Sequence, residues 1–496
     1  MPEEEMSSAQ ASRSASTARL GRIPSALRHI HLIGVGGSAM AALAGMLAEG
    51  GFRVTGSDNQ IYEPAASILR RLAIDIRPAY SRLNLQPMPD LVVVGNVITR
   101  SNPEAAALLS TTIPYLSMPE ALRHFFLRKR RVLMVAGTHG KTTSTAMMAR
   151  VLDVCGRDPS MMVGGVARDF GANYRCGSGS EFVIEGDEYD TAFFDKGPKF
   201  LHYGPTGTII TAVEFDHADI YPDLDHVKAA FQALSEQFSH EEILVVSADF
   251  PHALEVTART YAHRLTFGLN SGEYRAVGIK INEEGALFSI AQHERPIAHN
   301  LQLPIGGRMN VANALGVWVL LKQFGLSNED LARGLASFTG VVRRQEVVGE
   351  AAGVTVIDDF AHHPTAIRAT LEAIAERYPH RRILAAFEPR SNTARRSVFQ
   401  ADFAEALERA TQVYLAPVYF KENDPIPSSG RLDVGMLAGT ISKRGPAAFA
   451  CGGTDDIANR MLTDCRAGDV LLCMSNGPFE GLPNRLLKAL CQLAQD

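Results

Sequence analysis

Gly137-Thr138-His139-Gly140-Lys141-Thr142-Thr143 gathers a flexible turn, an ammonium and hydroxyl groups within seven residues. It falls between a buried apolar run, Val132 to Ala136, and a stretch with helical character, Thr142 to Val154. A strand-to-helix junction of this composition cradles phosphates. Backbone N–H groups at a helix N-terminus surround the oxygens, Lys141 neutralises the outer phosphates, and the Thr142 hydroxyl can ligate magnesium. The loop is shorter than the general pattern, its first glycine, Gly137, standing only three residues before Gly140. Two carboxylate clusters follow at predicted strand ends, Glu185-Gly186-Asp187-Glu188-Tyr189-Asp190 and Glu214-Phe215-Asp216-His217-Ala218-Asp219. Hard oxygen donors suit magnesium, and a metal held by few protein groups can still bridge ATP phosphates.

A second glycine turn, Gly34-Val35-Gly36-Gly37-Ser38, resembles a dinucleotide fingerprint, except that its sixth position is Ala39. Ser57-Asp58 ends the following strand, with Asp58 as the nearby candidate ribose acceptor. Glycines there let a pyrophosphate approach the backbone, which serves NAD and a UDP-sugar equally.

The elements needed to position these groups alternate between strand and helix. His29 to Val35, Phe52 to Thr55 and Leu91 to Val94 read as strands, with helices over Met40 to Glu49 and Pro103 to Leu109. A basic linker, Arg128 to Arg131, leads to the second nucleotide-type unit, which includes a strand-like alternation over Ile279 to Ile290 and a helix over Val311 to Phe324. From Phe338 a third unit opens, with strands at Val354 to Ile357, Ile383 to Phe387, Val413 to Ala416 and Val470 to Met474. This is an α/β chain built on parallel sheets. The 496 residues suffice for three domains at about 150 residues each: 28–126, 127–337 and 338–496, after a tail over 1–27 that is too polar to fold or to serve as a secretory signal.

A net charge of -5 gives no footprint for nucleic acid or anionic lipid. Six cysteines without zinc or redox spacing fit reduced thiols and a cytoplasmic location. No apolar run approaches a bilayer span.

Taken together, the phosphate loop, Glu185, Asp216-His217 with Asp219, Asn310 and Asn313, Gly340 to Arg344, and Asp358-Asp359-Phe360-Ala361-His362-His363-Pro364 resemble the Mur ligases of peptidoglycan metabolism, from His29 to the C-terminus. The resemblance implies an N-terminal Rossmann-like domain for a UDP-sugar, a central P-loop ATPase-like domain and a C-terminal Rossmann-like domain for the incoming amine. ATP would be a substrate and magnesium the cofactor. Gly34, Gly36, Gly37, Ser38, Ser57, Asp58 and Asn96 would bind the UDP-sugar. Lys141, Glu185 and His217 would be catalytic, with Thr142, Glu185 and His217 serving the metal. Asn310, Asn313, Arg343 and Asp359 would join residues 137–143 at ATP.

The strings Gly95-Asn96, Tyr189 to Lys196, Lys199 to Tyr203, Glu388-Pro389-Arg390-Ser391-Asn392-Thr393 and Met474-Ser475-Asn476-Gly477 are similar to those of the family member that joins UDP-N-acetylmuramate to L-alanyl-γ-D-glutamyl-meso-diaminopimelate in peptidoglycan recycling. Arg390 can grip a carboxylate, while Ser391, Asn392, Ser475 and Asn476 offer neutral donors and acceptors for the remaining polar groups of such a peptide. Addition of L-alanine is the alternative within the family, and a P-loop ATPase with a binding or regulatory role the alternative outside it. A nicotinamide dehydrogenase would leave Lys141 and the acidic clusters unexplained. The chain departs from the family at Ala212, where asparagine is usual, at Gly186, where alanine is usual, and at Met309, where histidine is usual.

Overall fold

The computed structural model describes residues 23–218, 220–420, 426–427 and 430–494. Of the expected tail, residues 1–22 lie outside that range, as does Asp219 of the second acidic cluster, while residues 23–27 form no regular element. The chain divides into two compact units. One holds the described residues through Phe215 with Asp223–Arg275 and Ala314–Ser337; the other holds 216–222, Ala276–Asn313 and the described residues from Phe338. Across these units the α/β architecture is expressed as three large sheets.

The first sheet contains β1 (His29–Ile33), β2 (Arg53–Ser57), β3 (Asp75–Arg77), β4 (Leu91–Val94) and β5 (Tyr115–Ser117). They run parallel in the order β3-β2-β1-β4-β5. Because β1 is central and its neighbours lead to opposite sides, the turn after Ile33 opens at a topological switch point, where α/β sheets take ligands. Gly34 has a φ of 84°, which glycine adopts without a Cβ penalty, and the helix Ser38–Glu49 follows. Ile33, Val92, Val94, Ala105 and Leu108 belong to one core beneath this sheet.

Within that core lies a polar knot that apolar patterning does not reveal. His31 Nε2 bonds Glu104 Oε1 at 2.6 Å, and His31 Nδ1 bonds Thr55 Oγ1 at 2.7 Å. The other Glu104 oxygen accepts from Asn84 Nδ2 at 2.7 Å and Ser81 N at 3.3 Å. Both His31 and Glu104 have zero exposure, so truncating the carboxylate strands three donors. Glu104→Ala is expected to destabilise this domain by about 3 kcal/mol in denaturant unfolding; a loss under ~1 kcal/mol would show that the knot contributes little.

The central sheet is built around β6 (Arg131–Ala136), whose first residue lies inside the expected linker. Its parallel neighbours are β9 (Glu181–Gly186) and β12 (Gly207–Ile210), on opposite sides. Beyond β9 come β7 (Ser160–Ala167) and β8 (Ala172–Arg175); beyond β12 come β13 (Ile243–Ser247) and β14 (His263–Gly268). A hairpin of β10 (Asp190–Ala192) and β11 (Asp195–Pro198) forms its own small sheet. The alternation over Ile279 to Ile290 is divided between two strands, β15 (Tyr274–Asn282) and β16 (Gly285–Gln292). Gly285, at a φ of 136°, starts the second of them, and β17 (Arg295–Leu303) returns antiparallel to it.

The third sheet comprises β18 (Glu346–Ala351), β19 (Val354–Asp359), β20 (Ile383–Phe387), β21 (Gln412–Leu415), β22 (Ala447–Ala450) and β23 (Val470–Met474), in the order β18-β19-β23-β20-β21-β22. All pairings are parallel except β18 with β19. Met474 is in register with both Asp359 and Phe387, so the segments after β19, β20 and β23 emerge side by side. Among the described residues, no helix is long and apolar enough to cross a membrane.

Candidate active site

In the first unit the phosphate loop follows β6 directly. Gly137 has a φ of 133°, and a Cβ there would come within 2.8 Å of the Ala212 nitrogen while overlapping the Thr211 hydroxyl. Gly140, at a φ of 79°, precedes the helix Lys141–Val154. The loop is tied to the segment after β12: Thr138 N–H donates to Ala212 O at 2.8 Å, and Glu214 N–H donates to Thr138 Oγ1 at 2.9 Å. His139 Nε2 lies 2.8 Å from Glu214 Oε2. Ala212 thus holds the loop through its backbone, a role that does not require the family's asparagine side chain.

The register of β6 with β9 sets Val135 beside Glu185 and Ala136 beside Gly186, which brings the first acidic cluster to the loop. Lys141 Nζ donates to Gly137 O at 2.7 Å and to both Glu188 oxygens, at 3.1 and 2.9 Å. Burial works against the ammonium, but the carboxylates of Glu188, Asp187 and Glu185 outweigh it and hold the Lys141 pKa above its ordinary value. Thr142 Oγ1 donates to Glu185 Oε1 at 3.0 Å. Burial, followed by the charge of Asp187, raises the Glu185 pKa; Lys141, the Gly164 N–H and Thr142 oppose the shift. The departure at Gly186 also has a local cause, because a Cβ there would lie 2.8 Å from Met134 Sδ on β6.

Gly164, inside β7, connects the two glycine turns. Its N–H donates to Glu185 Oε2 at 2.7 Å, while its carbonyl accepts from Ser38 Oγ at 3.5 Å. Ser38 begins the helix of the first turn and is held by Asn173 Nδ2, at 3.0 Å from its hydroxyl and 3.2 Å from its carbonyl. One residue, Gly164, therefore separates the carboxylate bound to Thr142 from the first glycine turn. Neither Gly164 nor Asn173 was apparent as a site residue, although a Gly-Gly pair inside a strand signals close backbone approach.

At the first turn, Gly36 N–H donates to Asp58 Oδ2 at 2.8 Å, and Tyr80 OH donates to Asp58 Oδ1 at 3.2 Å. Asp58 therefore fastens the turn itself. Ser57 accepts the Gly34 and Val35 N–H groups through its carbonyl, and its hydroxyl is buried without a hydrogen-bond partner among the described residues. Gly37 is exposed and Asn96 half-buried at the neighbouring strand end.

His217, Asn310, Asn313, Arg343 and Asp359 belong to the second unit. His217 has a φ of 52° and donates its N–H to Asp216 Oδ1 at 2.6 Å; the other oxygen-bound donor is Thr393 Oγ1, at 2.8 Å from the same atom. Although burial opposes it, His217, His362 and His363 hold the Asp216 carboxyl well below the usual carboxylate range. Asn310 Nδ2 donates to Gly306 O at 2.7 Å, whereas Asn313 Nδ2, one turn along the helix Arg308–Gln323, is buried without a partner among the described residues. Half-buried Met309 precedes Asn310 on the same helix.

Arg343 is committed within its unit. It bonds Asp358 Oδ2 at 3.1 Å and Ser475 O at 2.6 Å, bonds Gly477 O, and lies over the Phe360 ring. Asp359 accepts from Gln345 N and Ala361 N, each at 2.7 Å, and from Thr370 Oγ1 at 3.3 Å; burial raises its pKa. These contacts make both residues organisers of the strand ends. His363 accepts Thr365 N–H on Nδ1 at 3.3 Å, so its neutral ring carries the proton on Nε2.

The proposed peptide residues converge after β20 and β23. Ser475 Oγ donates to Glu388 Oε2 and accepts Gly477 N–H at 2.9 Å. Arg390 lies 3.5 Å from Glu388 Oε1. Ser391 accepts Ala394 N–H at 2.9 Å, the capping contact available to it without any ligand, and Asn392 Oδ1 accepts from Arg395 at 3.2 Å. Asn476 Oδ1 is buried without a partner among the described residues.

A short phosphate loop with its carboxylate cluster, a glycine turn one residue away and a third α/β sheet define an ATP-dependent ligase that forms amide bonds. The chain belongs to the Mur ligase family: residues 29–130 match its catalytic domain, 135–321 its middle domain and 343–477 its glutamate ligase domain. It is 36% identical to the UDP-N-acetylmuramate–L-alanyl-γ-D-glutamyl-meso-2,6-diaminoheptandioate ligase of Haemophilus influenzae, over 94% of this chain and 99% of that protein. Among solved structures, a murein peptide ligase from Psychrobacter arcticus matches with a TM-score of 0.68 and 32% identity, covering 94% of this chain and 99% of that one. The UDP-N-acetylmuramate–alanine ligase of Thermotoga maritima matches with a TM-score of 0.77 and 26% identity, covering 94% and 100%.

Proposed function

We propose that this chain joins the lactyl carboxylate of UDP-N-acetylmuramate to the amine of L-alanyl-γ-D-glutamyl-meso-diaminopimelate, consuming ATP, in the recycling of peptidoglycan in the cytoplasm. The observation that carries the proposal is the Ser38–Gly164–Glu185–Thr142 chain of contacts, which links a sugar-nucleotide turn to a phosphate loop within one unit. A carboxylate acceptor and a phosphoryl donor need such proximity to react. The tripeptide is favoured over alanine by 36% identity to the H. influenzae tripeptide ligase, against 31% to the UDP-N-acetylmuramate–L-alanine ligase of Alkaliphilus metalliredigens. L-Alanine remains the second reading because the T. maritima alanine ligase has the higher TM-score of the two structures.

In the proposed reaction the γ-phosphoryl of ATP passes to the lactyl carboxylate, giving an acyl phosphate, and the peptide amine displaces phosphate. Lys141 exchanges its Glu188 contacts for phosphate oxygens, while N–H groups at the start of the helix Lys141–Val154 take up the remaining charge. Thr142 and Glu185 present hard oxygens of the type magnesium requires, with His217 as the third proposed ligand. When bound, the ion would neutralise charge among the phosphates. Residues 137–143, Asn310 and Asn313 would bind ATP, and Arg343 and Asp359 would act by fixing the loops around it. Gly34, Gly36, Gly37, Ser38, Ser57, Asp58 and Asn96 would form the sugar-nucleotide site.

Phosphate release stimulated jointly by UDP-N-acetylmuramate and tripeptide tests this function. Release that ignores the sugar nucleotide would contradict it and leave a simple P-loop ATPase. The sugar site has its own test in Gly36→Ala. Its Cβ would meet Asp58 Oδ2 at 2.8 Å and Gln60 O at 2.9 Å, so the turn must open. The variant is expected to raise the KM for UDP-N-acetylmuramate by at least about tenfold with little change in that for ATP. An unchanged sugar-nucleotide KM would remove this turn from the site.

A further inference from the structure

Arg390 is held on several sides by groups from different segments of the third sheet. The Tyr419 ring lies 3.8 Å from the guanidinium carbon. On the Gly477 side the approach is so close that a Cβ would overlap the arginine side chain and displace it from this position. The Glu388 carboxylate lies 3.5 Å from one guanidinium nitrogen, and Glu388 is itself anchored by Ser475 Oγ. Tyr419 is positioned by its backbone, its N–H donating to Pro389 O at 3.1 Å. The Arg390 side chain nevertheless retains 27% exposure. A planar cation fixed from its faces, with an accessible remainder, is prepared to take an anion in its own plane.

Resting on the function proposed above, we infer that Tyr419 is a positioning residue for peptide recognition, stacking Arg390 so that its open edge accepts a carboxylate of the incoming peptide. The ligand class is a peptide carboxylate. The bond is a charge-assisted hydrogen-bond pair, and stacking contributes by holding the guanidinium plane before the peptide arrives. The tyrosine hydroxyl has no part in this arrangement, so phenylalanine should substitute for it. Leucine fills similar space without offering a ring face.

The test measures steady-state turnover of the full-length wild type and of Tyr419→Phe and Tyr419→Leu, with ATP, magnesium, UDP-N-acetylmuramate and either the free tripeptide or the peptide amidated at its diaminopimelate carboxylates. Tyr419→Leu should raise the tripeptide KM about tenfold, with kcat and the KM values for ATP and sugar nucleotide nearly unchanged. Tyr419→Phe should behave as wild type, and Tyr419→Leu should discriminate less than wild type between free and amidated peptide. An unchanged tripeptide KM in Tyr419→Leu, or equal damage from Phe and Leu, would overturn the role of the ring while leaving peptide ligation intact. Absence of tripeptide-dependent turnover in the wild type would overturn the functional reading and this inference with it.

Discussion

Lys141→Ala is expected to lower kcat/KM for the ligase reaction by about 10³-fold or more, because the missing ammonium is the charge that would stabilise the transferring phosphoryl group. The same substitution should destabilise the protein by about 3 kcal/mol, since Glu188 would remain buried without its cation. Glu188 is 2% exposed and contacts Lys141 with both oxygens. The two effects are separable. Adding Glu188→Gln to Lys141→Ala removes the orphaned charge and should recover most of the thermal stability while leaving turnover absent. Recovery of activity in the double variant would mean that Lys141 serves mainly to neutralise Glu188.

Arg390→Ala should raise the KM for the tripeptide about 50-fold, with ATP and UDP-N-acetylmuramate affected less than about threefold. This exceeds the effect expected at Tyr419, because the charged hydrogen bonds are lost outright. Arg390→Lys should rescue only partly, since an ammonium has neither the planar fork nor the flat face that Tyr419 and Gly477 enclose. Equal damage to all three substrate constants would instead assign Arg390 a structural role in joining β20 to β23.

The residue types at the phosphate loop were legible because each requirement is local: Gly137 and Gly140 take positive φ, Lys141 begins a helix, and Thr142 follows it. The parallel sheets were also legible, since apolar strands such as Leu91–Val94 and Val470–Met474 are buried throughout. What escaped depends on partners distant in sequence. Nothing within Glu185 to Asp190 says that Glu188 will meet Lys141 while Glu185 meets Thr142; that division follows from the registration of β9 beside β6. The alternation over Ile279 to Ile290 concealed the break between two strands at Glu283-Glu284, across which the apolar residues shift from odd positions (Ile279, Ile281) to even ones (Phe288, Ile290).

Several residues expected at ligands also make contacts within the chain. Asp58 secures Gly36 and Tyr80, Arg343 secures the segment after β23, and Asp359 closes the turn after β19. Residue type could not distinguish ligand binding from loop fixation, since both require charge at a strand end. Phe360 supports Arg343 and Arg344 through its ring, a contact that needs no hydroxyl.

The most direct test offers the enzyme equal concentrations of L-alanine and L-alanyl-γ-D-glutamyl-meso-diaminopimelate with ATP, magnesium and UDP-N-acetylmuramate, and reads the UDP-linked product by mass. Predominance of UDP-N-acetylmuramoyl-tripeptide, with ADP and phosphate formed in equal amounts, is the predicted result. Predominance of UDP-N-acetylmuramoyl-L-alanine would contradict the account.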